Sequence, residues 1–487
     1  MARLNNETRG TSTQRRAEPS MTNQPDLPSM AVEPTGFGRH GYRGLAEKES
    51  SCEVTLSDVL SSQNMEKAWK QVKANKGAAG VDGMKVGGFP EFAKEHWDSI
   101  LRKLAEGSYS PSPVRGVEIP KGGGKYRQLG IPTVLDRVIQ QSISQVLTPL
   151  YEPHFSEHSH GFRPKRSAHD AIDEMRRESN IKGAKSHVVD CDLAAFFDTV
   201  DHQKLMGKLR ERIADPALLK LIHGYLKAGK IASKLTREER EEERKERDEG
   251  VPQGGPLSPL LANILLDDLD HELEKRGHKF VRYADDFVIL CWSLRAGERI
   301  LRSVTRYLSD ELKLTVNTTK SQTVKLKDAS FLGFKIVRRR IWWTEKSQKK
   351  FKDRIREITK RTRGHSPTKV MSELRMYVRG AMNYYGRGMK SGEARSLDRW
   401  MRSRMRLYYW KQWGRPRTRR RKLLRLGIGR GEVHMASRSR KGPWRITHTS
   451  IVSRAMTNEW LASQGLPSIE KQWSLIRYPN GPKRPRE

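Results

Sequence analysis

Residues 282–290 read RYADDFVIL, which sets Asp285 and Asp286 side by side within an otherwise apolar and aromatic run. An ionised carboxylate is costly to remove from water, so two of them there need either a solvated position or a partner. KFVRY before them and FVILCW after them have the β-branched and aromatic content of strands, and ADD fits the tip of a hairpin joining the two. A hairpin tip holds acids at the edge of a core and can aim them at a neighbouring strand.

The second clear strand region is SHVVDCDLAAFF. Side chains alternate along a strand, so Val188, Asp190 and Asp192 share one face while Val189, Cys191 and Leu193 share the other. Two acids on one face either bind a divalent cation or sit at a solvated strand end. Asp192 beside the Asp285–Asp286 pair makes a carboxylate cluster whose like charges repel unless hard cations neutralise them, and oxygen ligands favour Mg²⁺. Two such ions about 4 Å apart are a standard means of in-line displacement at phosphate.

Helical patterns alternate with short strand runs from about Val54 to residue 340, which gives an α+β fold class. DRVIQQSISQVLTPLYEPHF reads as a helix with Ile139, Ile143, Val146, Leu147 and Leu150 on one face. PLSPLLANILLDDLDHELEKRG reads as another; Asp267, Asp268 and Asp270 fall largely off its apolar stripe and are expected on a solvated face. Residues 1 to about 50 are polar and aperiodic, so a disordered tail is expected. TREEREEERKERDEG, between residues 236 and 250, reads as a solvated helix or protruding loop.

Charge narrows the partners. With 94 Lys and Arg against 57 Asp and Glu, the net charge of +37 and pI near 10.2 favour phosphate-bearing partners, above all nucleic acid. An anionic membrane surface is the rival, but there is no 18-residue apolar run or signal-peptide core, so a soluble, cytoplasmic protein without a membrane partner is expected. Cys52, Cys191 and Cys291 are far apart and form no CxxC pair, which points away from a zinc site or disulfide framework and suits a reducing compartment. Beyond residue 345 basic residues interleave with aromatics. Arg415, Arg417, Arg419, Arg420 and Arg421 in GRPRTRRRKLLRLGIGR are candidates for RNA contact. Most of Tyr384, Tyr385, Tyr408, Tyr409, Trp410 and Trp413 are expected to pack inside.

Seven blocks then occur in a fixed order: IPKGGGKYRQLGIP, HGFRPKRSAHDAI, VVDCDLAAFFDTVDH, GVPQGGPLSPLLANILLDDLD, RYADDFVIL, LTVNTTKSQT and FLGFKI. The series closely resembles the reverse transcriptases encoded by group II introns, which double as splicing maturases. It covers roughly residues 55 to 345, and the later stretch with GAMNYYG resembles the family's thumb and maturase (X) domain.

The resemblance implies a right-hand polymerase: fingers and palm over residues 51–345, an α-helical thumb/maturase domain over 346–445, and a basic tail over 446–487. It implies Asp192, Asp285 and Asp286 as ligands of two Mg²⁺ ions, with Asp190 only a neighbour and Asp286 the lesser ligand. In the same way Phe197 would crowd the sugar 2′ position and select dNTP substrates, and Gln253 would line the nucleotide pocket. Lys121 and Arg127 would clamp the triphosphate, Lys320 would donate a proton to pyrophosphate, and Arg163 would lie near the template. The implied partners are the intron RNA in a ribonucleoprotein, an RNA template with a DNA primer, and target DNA.

Members of the family frequently end in an endonuclease domain with paired cysteines. No cysteine follows Cys291, so second-strand cleavage is not expected, and a primer from elsewhere, such as a replication fork, is. Two alternatives stand beside this reading: a maturase acting only as an RNA-binding splicing factor, and a reverse transcriptase recruited to defence or diversity generation.

Overall fold

The computed structural model describes residues 54–122, 125–180, 186–232 and 249–479. The expected N-terminal tail lies outside the described residues, as does nearly all of the charged run at 236–250.

Four helices open the described chain: α1 (Leu56–Leu60), α2 (Ser62–Asn75), α3 (Phe89–Ala105) and α4 (Val134–Tyr151). Thr133 caps α4, its hydroxyl accepting from Asp136 N at 3.1 Å, and Val134, Val138, Ile139, Ile143 and Leu147 turn inward along it. Between α3 and α4 the chain makes a hairpin, β1 (Val114–Gly122) with β2 (Lys125–Ile131), in which Ile119 faces Arg127. The short β4 (Lys230–Ala232) pairs parallel to β1.

The central sheet is antiparallel, in the order β5-β6-β3-β7, from β3 (His187–Cys191), β5 (Lys279–Tyr283), β6 (Asp286–Cys291) and β7 (Gln322–Lys325). The β5–β6 hairpin is the one read from RYADDFVIL, with Ala284 and Asp285 between the strands. Each face of the sheet is covered by a different core. Val189, Cys191, Phe287 and Ile289 join a large cluster with α1–α4, α6 (His202–Arg210), α7 (Pro216–Lys227) and α8 (Ser258–Lys275). Val188, Val281, Val288 and Leu290 face a smaller cluster holding Ala171 and Met175 of α5 (Ala168–Glu178) together with Phe331 and Ile336. The period-two alternation is therefore realised residue by residue. The helix α9 (Leu294–Asp310) lies beside β3 and β7.

A second hairpin, β8 (Phe334–Val337) with β9 (Arg340–Trp343), leads into an all-helical region. Its helices are α10 (Glu345–Ile358), α11 (Pro367–Tyr385), α12 (Ser391–Gln412), α13 (Pro416–Arg425), α14 (Arg430–Ser437), α15 (Pro443–Ile446), α16 (Ser450–Ala455), α17 (Asn458–Ser463) and α18 (Ile469–Arg477). Tyr408, Tyr409, Trp410 and Trp413 are buried in its core. Residues 446–479, expected as a basic tail, instead fold: Val452, Leu461, Ile469 and Trp473 enter the same core. Their apolar side chains are spread over helices of four to nine residues, too short for a periodic signal to stand out among the basic residues.

Candidate active site

Strand register decides which acids meet. Cys191 lies opposite Phe287, so Asp192, one residue further along, emerges beside Asp286. Asp190 pairs across to Val288, on the same sheet face as both. Burial and the carboxylates of Asp286 and Asp192 push the Asp190 acid up to about 6. Burial, Asp285 and Asp192 push Asp286 up to about 6 as well, opposed by the ammonium of Lys320. The corner is thus short of positive charge.

Lys320 answers part of that need. Its Nζ lies 2.7 Å from Asp192 Oδ2, and the Asn317–Ser321 turn is tied to the strand end through Asn317 N to Asp192 O at 2.8 Å. Among the described residues no three His, Cys, Asp or Glu side chains converge closely enough to form a ready-made cation cage.

The turn carrying Asp285 is braced from behind. Ala284 takes φ of 59°, in the left-handed region that ordinary residues avoid. Arg282, wholly buried, donates from Nη1 to Ala284 O at 3.0 Å and to Asn263 Oδ1 at 2.9 Å, while Nε and Nη2 grip Asp270. The approach of segment 156–163 is close enough that a Cβ on Gly161 would stand 2.1 Å from Ala284 N. Asn263 Nδ2 donates to Gly161 O at 2.8 Å, so one α8 side chain ties the loop and the turn together. Behind that loop, Glu174 of α5 accepts from His158 and His160.

Two expectations are corrected here. Asp270 is not on a solvated face: it is fully buried against Arg282, because α8 is covered on more than its leucine stripe. Asp268 is half-exposed and pairs with Lys208 at 3.0 Å. Arg163 is not presented to a template either. Its side chain is 2% exposed and is consumed by Glu152 and the carbonyls of Ser156 and Ser159, an internal clamp of the same loop.

A cavity of about 590 Å³ opens in front of the turn. Phe197, Gln253, Tyr283, Asp285 and Asp286 line it, with Arg137 on the α4 side. Phe197 is buried at this wall and Phe196 behind it packs edge-on at 5.1 Å. Lys121 lies on β1 and Arg127 on β2, but their side chains fall outside the described residues. Of the arginine cluster, Arg415, Arg417, Arg420 and Arg421 are exposed around α13, whereas Arg419 lies 4.8 Å over the Trp410 ring. The sequence reading missed Arg282, Asn263 and Gly161. The one available signal was an arginine inside an apolar strand, since a buried cation must have an acid nearby.

Residues 119–336 match the family described as reverse transcriptase (RNA-dependent DNA polymerase), and residues 348–427 match the group II intron, maturase-specific domain. Protein YkfC of Escherichia coli is 35% identical over 279 residues, covering 50% of this chain and 71% of that protein. The group II intron-encoded protein LtrA of Lactococcus lactis is 38% identical over 216 residues, 44% of this chain, but the match spans only 34% of LtrA. The mitochondrial nuclear intron maturase 2 of Arabidopsis thaliana is 28% identical over 195 residues, covering 34% of this chain and 26% of that protein. A polymerase segment followed directly by a maturase segment defines the class. The chain belongs to the family of group II intron-encoded reverse transcriptases and maturases.

Proposed function

We propose that the chain is an RNA-directed DNA polymerase that also binds its intron RNA to promote splicing and retrohoming. On this reading the β5-β6-β3-β7 sheet is the palm, α1–α4 with the β1–β2 hairpin are the fingers, and the helices from α10 onward form the thumb and maturase region. One observation carries it: Asp192 and Asp286 emerge side by side on neighbouring strands, and Asp285 and Asp286 open onto the cavity lined by Phe197 and Gln253.

The donor set fits hard divalent cations. Burial and mutual repulsion hold two carboxyls near 6, the signature of a site with more negative charge than its protein partners offset. Asp192, Asp285 and Asp286 would hold Mg²⁺, which when bound activates a primer 3′-hydroxyl and neutralises the triphosphate. Lys320, whose ammonium pairs with Asp192, would give a proton to departing pyrophosphate. Phe197 offers a rigid wall against a 2′-hydroxyl, Gln253 an amide at the nucleotide, and Lys121 and Arg127 charge for the triphosphate. Arg415, Arg417, Arg420 and Arg421 would meet intron RNA.

Primer extension on an RNA template tests the polymerase, with loss of DNA synthesis expected in the Asp285→Ala, Asp286→Ala double variant. Synthesis surviving in that variant would overturn the assignment. Splicing that persists in the same variant is the expected result for a maturase role that needs binding and no polymerisation.

A further inference from the structure

A separate cleft of about 580 Å³ opens where α5, the β8–β9 hairpin and α18 meet. Arg176, Arg339, Arg340, Arg387, Lys390 and Arg477 line it against one carboxylate, Asp173. That acid is already engaged, with Arg387 Nη2 at 2.6 Å and Arg176 Nε at 3.5 Å. Arg339, Arg340 and Arg477 are exposed, and their guanidinium groups make no hydrogen bond or ion pair with any described residue. A neighbouring cavity of about 660 Å³ shares Arg340, Trp342 and Lys390 and adds Arg338, so the cationic surface runs on around the hairpin.

The hairpin itself is unusual in chemistry. Its two turn residues, Arg338 and Arg339, hold φ of 48° and 66°, positions that glycine or asparagine fill at lower cost. Three adjacent arginines at a tight turn repel one another, and among the described residues none forms an ion pair with them.

The rings in the cleft point to which anion it takes. Lys390 Nζ sits 4.6 Å over the Trp342 ring, and buried Trp473 is committed through Nε1 to Met389 O at 3.1 Å. Tyr478, 40% exposed, also lines the cleft and packs edge-on against Trp473 at 6.1 Å, so open ring faces are few beside the three unpaired guanidinium groups. Such a surface suits the phosphate backbone of folded RNA better than splayed-out bases, which need open aromatic faces. The arginines at 338–340 fall between the two family-matched segments, and α18 falls after both.

We propose that this cleft docks the phosphodiester backbone of structured RNA, at a site distinct from the carboxylate corner and from the α13 arginines. The inference rests on RNA being this chain's partner, as proposed above. The test uses the full chain with Arg339→Gln, Arg340→Gln and Arg477→Gln combined, and a second variant with lysine at the same three positions. Filter binding to a hairpin-rich RNA transcript across a salt series should show about tenfold weaker binding near ~100 mM salt, and a log–log salt slope shallower by about two, for the glutamine variant. The lysine variant should retain most of the affinity and serves as the folding control. Primer extension on a short RNA template should stay within about twofold, since few phosphates reach beyond the catalytic cavity there.

Unchanged RNA affinity and slope in the glutamine variant would overturn the proposal. So would equal loss in the lysine variant, a parallel loss of primer extension, or loss of tripolyphosphate binding alone with RNA binding intact. Wild-type protein that neither binds RNA nor extends a primer would instead refute the broader polymerase–maturase reading.

Discussion

Arg282 and Asp270 form a fully buried ion pair, and the same guanidinium hydrogen-bonds Ala284 O, one residue before Asp285. The pair is therefore the mount of the candidate catalytic turn. Removing one partner strands a charge in the core, at a cost of about 3–5 kcal/mol. Arg282→Met should lower the thermal midpoint markedly. Arg282→Lys keeps the charge but cannot fork to Asp270, Asn263 and Ala284 together. It should fold and lose maximal rate more than nucleotide affinity. A rise in KM with unchanged kcat would contradict the mounting role.

The acids should prove unequal. Asp192→Asn and Asp285→Asn are expected to reduce single-turnover extension by on the order of 10²–10³-fold or more. Asp286→Asn should reduce it less. Asp286→Asn should melt no lower than wild type, because it relieves like-charge repulsion at the corner, whereas Asp192→Asn also gives up the ion pair with Lys320. An Asp286 variant worse than the Asp285 variant would reverse the ranking.

Phe197 is buried at the cavity wall, so Phe197→Ala opens space where a 2′-hydroxyl would fall. The ratio of ribonucleotide to deoxyribonucleotide incorporation should rise by roughly 10- to 100-fold, judged by kcat/KM for each. A general loss with no change in that ratio would mark Phe197 as core packing alone.

Glu174 bridges His158 and His160 behind the 156–163 loop. Burial alone would raise its carboxyl, but the two histidine hydrogen bonds outweigh it and hold the group at about 2. Its folded value lies below the ordinary 4.5, so its stabilisation is full above that pH and is lost as pH falls towards 2. His158 is raised above 6.5 by its bond to Glu174, so its share is full below 6.5 and fades as pH rises through the folded value. The wild-type advantage over Glu174→Gln, about 1–3 kcal/mol, should therefore peak between pH ~4.5 and ~6.5 in thermal melts. A pH-independent difference would exclude charge as the bond's contribution.

What could be read ahead of the structure follows from what each pattern encodes. The β5–β6 hairpin and the inward faces of β3 were legible because alternation is local, and Asp192 joined Asp285 and Asp286 through the order of the blocks. Asp270 and Arg163 were misread because their partners lie elsewhere in the chain: a helix-face pattern shows which side is polar, not whether a strand arginine arrives to cover it. The folding of residues 446–479 was hidden because its helices pack mainly on α11, α12 and α14, earlier in the chain.

The tie between Asn263 and Gly161 joins residues 102 positions apart. A contact of that span forms only after a large loop has closed, which places it late in folding. During synthesis the 156–163 loop leaves the ribosome well before either Asn263 or Arg282 exists to meet it. The turn that carries Asp285 therefore acquires its brace only once α8 and β5 have been made and packed against the loop. A nascent chain that ends before residue 263 holds α1 to α7 and the 156–163 loop, but neither of the side chains, Asn263 and Arg282, that mount the turn.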